Sequence, residues 1–387
     1  MKKIIFIILI SIPSVKIFSQ GIQFDSVVTA GIKQIYNIKF YEAEKTFKGL
    51  MADYPNKPQG RFFLAMIDWW KIMLDPNDES YDDIFFQKLE DVIYQCDQIL
   101  TKDENNEEAL FFKGGAIGFR GRLRAFRESW LKAADDGRLA LPIVEKAFKL
   151  NPKNIDVKLG FGIYDYFAAV IPDEYPLMKP LMIFFPPGNK QKGLNELEDV
   201  AIDGKYAKYE ARYFLMTLFY NYENNPFQAD IWAQMLIKDF PDNPVFERWY
   251  GRIAAKQGDY ALSSKIFFDV WNKGQKNLEG YNNANAEREA AYYIAYQYRN
   301  LSKLDSAKYF FNQCINYSKK IDPKDGSGFM VNSYLYNGMI NDELGLRNEA
   351  VDDYKKLLEL KDYNNSHNLE KEYLRGKINE FGLKRSF

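Results

Sequence analysis

The stretch GGAIGFRGRLR, residues 114–124, packs four glycines and three arginines into eleven positions, a composition that two arrangements would use. A phosphate-gripping loop needs a strand before it, glycines that free backbone N–H groups, and usually a Lys followed by Ser or Thr. That context is missing: Glu108, Leu110, Phe111 and Phe112 precede the stretch as helix formers, and LRAFRESWLKAA follows as more helix. As a helix, at about 100° per residue, the segment separates into three sides. Gly114, Gly118, Gly121 and Ala125 form a seam that admits a neighbouring backbone, and Phe119, Leu123, Phe126 and Trp130 form a packing side. Arg120, Arg124 and Arg127 form the third. Charge-balanced helical proteins carry many solvated or paired faces, so the arginines are expected to pair with carboxylates such as Asp135 and Asp136. The sharper alternative is a site for an acidic peptide or other anion, gripped by planar guanidiniums.

Other chemistry has little to build on. His367 is the only histidine, so neither a His-based triad nor a multi-histidine metal centre can be assembled; His367 is expected in a surface loop. Two carboxylates suffice for glycoside hydrolysis, and Asp165 in IYDYF, or Asp68 beside Trp69 and Trp70, could line a sugar groove. Acidic residues are abundant throughout, and no motif ranks one pair above another. The expectation is therefore no enzyme, no catalytic residue, no metal ligand and no cofactor. Cys96 and Cys314 lie far apart in the sequence and are expected as buried free thiols.

The formal net charge of -1 argues against a nucleic-acid binder, which would carry a basic excess. Residues 1–20, MKKIIFIILISIPSVKIFSQ, combine a basic start, an apolar run and a small residue before Gln20, the pattern of a cleaved secretory signal peptide. The apolar run is broken by Pro13 and Lys16 and falls short of the roughly 20 residues that span a bilayer. The expected location is a periplasm or the exterior. Aromatic residues make up 16% of the chain; they are expected to fill helix seams, with a sugar- or peptide-binding surface as the alternative.

The elements that would carry these residues are read from an internal repeat. In YLYNGMINDELGLRNEAVDDYKKLLEL, Gly338, Leu344, Gly345, Ala350, Tyr354 and Leu357 sit at offsets that recur at Ala295, Tyr298, Ala307, Phe311 and Cys314, at Gly251, Gly258, Tyr260 and Phe267, and at Gly31, Ala43, Phe47 and Pro55. Small residues fall where two antiparallel helices touch, and larger ones fill the seam. This resembles the tetratricopeptide repeat superfamily over nearly the whole of residues 21–387. The fold class expected is all-α, a tetratricopeptide-like α-solenoid of stacked antiparallel helix hairpins whose concave surface binds partners, in one continuous array.

Two irregular central insertions break the period. Between Gly114 and Ala140 the spacing is about double the repeat's, so the first helix is extended or another is inserted. The second is proline-rich, at about 171–188, with Leu177, Met178, Leu181, Met182, Ile183, Phe184 and Phe185 among its prolines. It either folds back as a plug or is exposed to a partner, a lipid or a membrane surface, with Asn189 capping the helix that follows. GGAIGFRGRLRAFRESWLKAADDG, GFGIYDYFAAVIP and FFPPGNKQKGLNEL together resemble the inclusion-body-clearance branch of tetratricopeptide proteins and its bacterial relatives, with Asn189 and Lys190 standing where that branch has an acidic residue and an arginine. The resemblance implies an adaptor or binding role. The candidate partner-binding residues are Arg120, Arg124, Arg127, Tyr164, Tyr166, Phe184, Phe185 and Lys190. The partner expected is a protein or peptide; a periplasmic carbohydrate- or lipid-binding protein is the alternative, and a helical glycosidase a more distant one.

Overall fold

The computed structural model describes residues 14–174, 176, 179, 185–363 and 365–374. Among them every long element is an α-helix and none is a strand. The helices are α1 (Ser14–Tyr36), α2 (Phe40–Asp53), α3 (Gln59–Leu74), α4 (Asp82–Lys102), α5 (Glu107–Phe126), α6 (Trp130–Leu150) and α7 (Lys158–Glu174), the last preceded by a short 3-10 turn at Ile155–Val157. They continue as α8 (Lys190–Asp203), α9 (Lys208–Asn221), α10 (Pro226–Asp239), α11 (Pro244–Lys256), α12 (Tyr260–Gln275) and α13 (Ala284–Asn300). The chain then runs through α14 (Leu304–Ile321), α15 (Gly328–Glu343), α16 (Arg347–Leu358) and α17 (Ser366–Leu374). No helix among the described residues is long and apolar enough to cross a membrane. Most of the expected signal peptide, residues 1–13, lies outside the described residues.

The helix boundaries follow from the sequence. The side chains of Asn106, Asn189, Asn225, Asn243, Asp259, Asn283 and Ser327 each accept a backbone N–H in the first turn of the helix they start, satisfying donors that a helix leaves unpaired. Pro226 and Pro244 occupy the first helical position, where a missing N–H costs nothing.

Chain contacts divide the protein into two compact units. One comprises Met1–Trp69 and Asp82–Lys208, the other Trp70–Tyr81 and Tyr209–Phe387. Within both, a glycine on the first helix of a hairpin faces an aromatic ring sixteen residues later on the second. A Cβ at Gly31 would strike the ring of Phe47, one at Gly251 that of Phe267, and one at Gly338 that of Tyr354. Ala295 and Phe311 share the same spacing and one apolar cluster. The recurring offset read from the sequence is thus a packing rule: the small residue is the socket for the ring.

The hairpin of α5 and α6 departs from that rule. Its helices are 20 and 21 residues long, against 14 and 13 for α10 and α11, so the doubled spacing is taken up by lengthening both. Continuous helix beyond Arg124 is corrected by the structure: α5 stops at Phe126, Glu128 adopts φ 57°, and Trp130 opens α6. The seam is also narrower than expected. A Cβ on Gly114 would lie 2.6 Å from Val144 Cγ2, and one on Gly121 2.9 Å from Asp136 Cβ, whereas Gly118 is exposed and would meet nothing within 4 Å. Gly118→Ala should therefore raise stability by up to about 1 kcal/mol through helix propensity alone, seen as a higher urea midpoint; a loss would mean that the exposed side of α5 has a packing partner.

Candidate functional site

The arginine face of α5 is paired. Asp136, 0% exposed, accepts bonds from Arg120 Nε at 3.0 Å, Arg120 Nη2 at 2.6 Å and Arg124 Nη1 at 2.6 Å. Arg120 also reaches Glu90 at 2.5 Å, and Arg127 donates to both carboxylate oxygens of Asp82 at 2.6 and 2.9 Å. Burial pulls the Arg120 pKa down, but its bonds to Asp136 and Glu90 outweigh this and raise it. Asp135, the other expected partner, pairs instead with Arg138.

The second set of sequence candidates gathers where α7 meets α8. Tyr164 donates to the Pro186 carbonyl at 2.5 Å, and burial raises its pKa. Asp165, 7% exposed, accepts from Lys192 Nζ at 2.7 Å and from the Asn189 N–H at 3.3 Å. Asn189 caps α8 by accepting from the Lys192 N–H. A Cβ on Gly193 would lie 2.6 Å from Tyr166 N and 2.7 Å from Gly162 O, so the two helices cross at backbone contact. Tyr166 is consequently 0% exposed; it is a core residue and not a partner contact, because the close crossing buries it. Phe185 is half-buried and Lys190 exposed. Phe184 lies outside the described residues, as does most of the apolar run before it.

The carboxylates weighed for a sugar groove are closed off in the same way. Asp68 is buried and pairs with Lys88, and Trp69 and Trp70 are each 2% exposed. Cys96 and Cys314 are buried free thiols, each pushed up to about 12 by burial. His367 is half-buried at the start of α17, its Nε2 2.9 Å from the Leu360 carbonyl, rather than in a loop. Among the described residues no cluster of three or more His, Cys, Asp or Glu could hold a metal ion.

An open cavity of about 570 Å³ lies instead within the first unit, at residues that sequence reasoning did not single out. It is built from the middle of α1 and the ends of other helices: Phe24 and Asp25 of α1, Tyr54 and Lys57 between α2 and α3, Gln59 at the start of α3, and Glu107, Glu108, Phe111 and Phe112 of α5. Asn151 to Asp156 after α6 and Asp203 to Tyr206 after α8 complete it. Two ion pairs brace the wall. Lys57 Nζ lies 2.6 Å from Glu108 Oε2, and Lys205 Nζ 2.5 Å from Asp25 Oδ2. Tyr206 donates its hydroxyl to Asp25 Oδ1 at 2.8 Å; burial first, and then this bond, raise its pKa.

Asp156, 4% exposed, accepts the backbone N–H groups of Lys205, Tyr206 and Ala207 at 2.8 to 3.2 Å. Burial raises its pKa against the lowering effect of those N–H bonds. Glu107 accepts from Asn154 Nδ2 at 2.6 Å and Asn151 Nδ2 at 3.4 Å. Phe62, Phe63, Phe112 and Tyr206 meet with ring centroids 5.2 to 6.3 Å apart, making a rigid aromatic backing. The sequence offers only helix stops at this place, at Pro55 and at Asn151-Pro152, and a stop does not show that it converges with others.

No family model matches the chain, and no curated protein does. Solved structures to which it is similar include PilF of Pseudomonas aeruginosa, at 13% identity over 68% of this chain and 97% of that one with TM-score 0.44. The C-terminal part of a TPR repeat-containing protein from Cytophaga hutchinsonii is 16% identical over 79% and 98%, with TM-score 0.37. Yeast Tom70 is 10% identical over 90% and 88%, with TM-score 0.37. The fold is tetratricopeptide-like. Paired antiparallel helices, the sixteen-residue socket rule and the small-residue contacts carry that statement within this chain.

Proposed function

We propose that this is a non-catalytic, exported binding or adaptor protein that recognises a protein or peptide partner on its helical hairpins. The observation that carries the reading is the open cavity of the first unit, where rings of Phe24, Tyr54, Phe111 and Tyr206 stand beside carboxylates, amides and lysines. Aromatic anchors beside groups that bond a backbone or a polar side chain are what peptide recognition uses. Tyr164, Phe185 and Lys190 form a further contact region in this reading, and the resemblance to the inclusion-body-clearance branch supports the adaptor role. Export rests on the leader pattern of residues 1–20 and is checked by N-terminal sequencing of the mature protein.

The cavity's amides, carboxylates and rings also favour a carbohydrate as a second reading. A photo-crosslinking side chain placed at the exposed lining residue Lys153 separates the two. The expected result is a discrete covalent adduct with a polypeptide in the envelope fraction, lost on competition with unlabelled full chain. Glycan-array binding with no polypeptide adduct would replace the peptide reading with the sugar one.

A further inference from the structure

We infer that the cavity of the first unit is a cation subsite: it takes an organic cation, the guanidinium or ammonium of a basic side chain on the partner. This rests on the peptide-binding reading and names the chemistry that such a partner must present.

The charges lining the cavity do not cancel. The carboxylates are Asp25, Glu107, Glu108, Asp156 and Asp203, and the ammonium groups are Lys57, Lys153 and Lys205. Lys57 pairs with Glu108 and Lys205 with Asp25, Lys205 also acts on nearby Asp156, and the lining still carries two more carboxylates than ammonium groups. Among the carboxylates, Glu107 is bonded by the neutral amides of Asn151 and Asn154, and Asp156 by backbone N–H groups. An ionised carboxylate offers about four acceptor positions, so Glu107 retains capacity after both amide bonds.

A second feature is independent of charge. Gln59 lines the cavity and is 0% exposed. Its Nε2 donates to Glu108 Oε1 at 2.6 Å, which fixes the amide orientation, and its Oε1 is left without a donor. A buried carbonyl oxygen in that state costs about 1–3 kcal/mol. That oxygen is fully covered, so an occupant relieves it only by displacing its cover and bringing an N–H or O–H, and a guanidinium or ammonium brings several. The rings beside the carboxylates add the attraction of a π-face for a cation, already used twice in the wall, by Lys57 with its Nζ 5.7 Å from the Phe24 ring centroid and by Lys205 with its Nζ 4.9 Å from that of Tyr206. An anionic ligand would meet the uncancelled carboxylates and leave Gln59 Oε1 unpaired.

The test is to pan a random dodecapeptide library displayed on phage against the full-length mature chain and to titrate the winning peptides. Spermidine serves as a free-cation probe. The expected winners contain Arg or Lys, and changing that residue to Gln weakens binding about tenfold or more. The double variant Glu107→Gln, Asp203→Asn should keep its melting profile yet lose that Arg-over-Gln preference to within about threefold. Winners whose affinity is indifferent to their basic residues would overturn the cation subsite and leave the peptide reading standing, and so would a preference that survives in the double variant. Failure to select any peptide, of any charge, would overturn the peptide reading. Spermidine should compete with the basic peptides in the wild type and not in the double variant; spermidine binding to the wild type when no peptide is selected would keep the cation chemistry and assign it to a free polyamine.

Discussion

Asp136→Ala should lower stability by about 3–5 kcal/mol, the usual cost of removing one partner of a buried ion pair, with the loss read from urea denaturation followed by circular dichroism. Asp136 is fully buried and is the shared anchor of Arg120 and Arg124, whose side chains are 14% and 27% exposed. Without it Arg124 loses its ion pair, and Arg120 keeps only half-exposed Glu90. The Cβ of Asp136 also fills the space opposite Gly121, and alanine retains that Cβ, so the variant removes the charge without removing the packing. Asp135→Ala is the internal control: its pair with Arg138 is exposed on both sides, at 59% and 56%, and such pairs contribute little. Equal effects for the two aspartates would show that the α5–α6 hairpin does not depend on the buried pair.

The same pair marks how far the sequence could be read. Residue periodicity separates arginines from glycines and aromatics on α5, and the choice of Asp136 as a partner follows from charge balance. Gly118 has the same type and a similar angular position to Gly114 and Gly121, yet it is exposed, because α6 crosses α5 at specific places rather than along a whole face. The helix stop at Glu128 was hidden because RESWLKAA contains no Gly or Pro; a left-handed glutamate carries no compositional signal. Hairpin sockets such as Gly338 with Tyr354 were legible because both residues belong to one local unit. The cavity was not, since its lining comes from five chain segments between Phe24 and Tyr206. Its most telling atom, Gln59 Oε1, is informative only through the absence of a donor, which no single-sequence pattern encodes.

Glu289→Gln should cost stability in a way that depends on pH. Glu289 of α13 is 1% exposed and accepts from Arg248 Nε at 2.7 Å, from Arg252 Nη2 at 2.7 Å, and from Arg252 Nε. Both guanidiniums come from α11, so one carboxylate ties the two helices. The variant leaves buried Arg248 and half-buried Arg252 facing a neutral amide, and the expected loss at pH 7 is about 3–5 kcal/mol. Burial alone would push the Glu289 pKa up, but Arg252 and Arg248 outweigh it and hold the pKa below the usual value. A carboxylate whose folded pKa is depressed contributes stability fully above its unfolded pKa, near 4.3, and loses it as pH falls through the folded pKa. The gap between wild type and variant should therefore hold from pH 7 to about pH 5 and narrow only below about pH 4. Urea midpoints at pH 7, 5 and 3.5 measure it. A gap that keeps its size at pH 3.5, or that shrinks already between pH 7 and 5, would mean that the charge on Glu289 is not what joins α11 to α13.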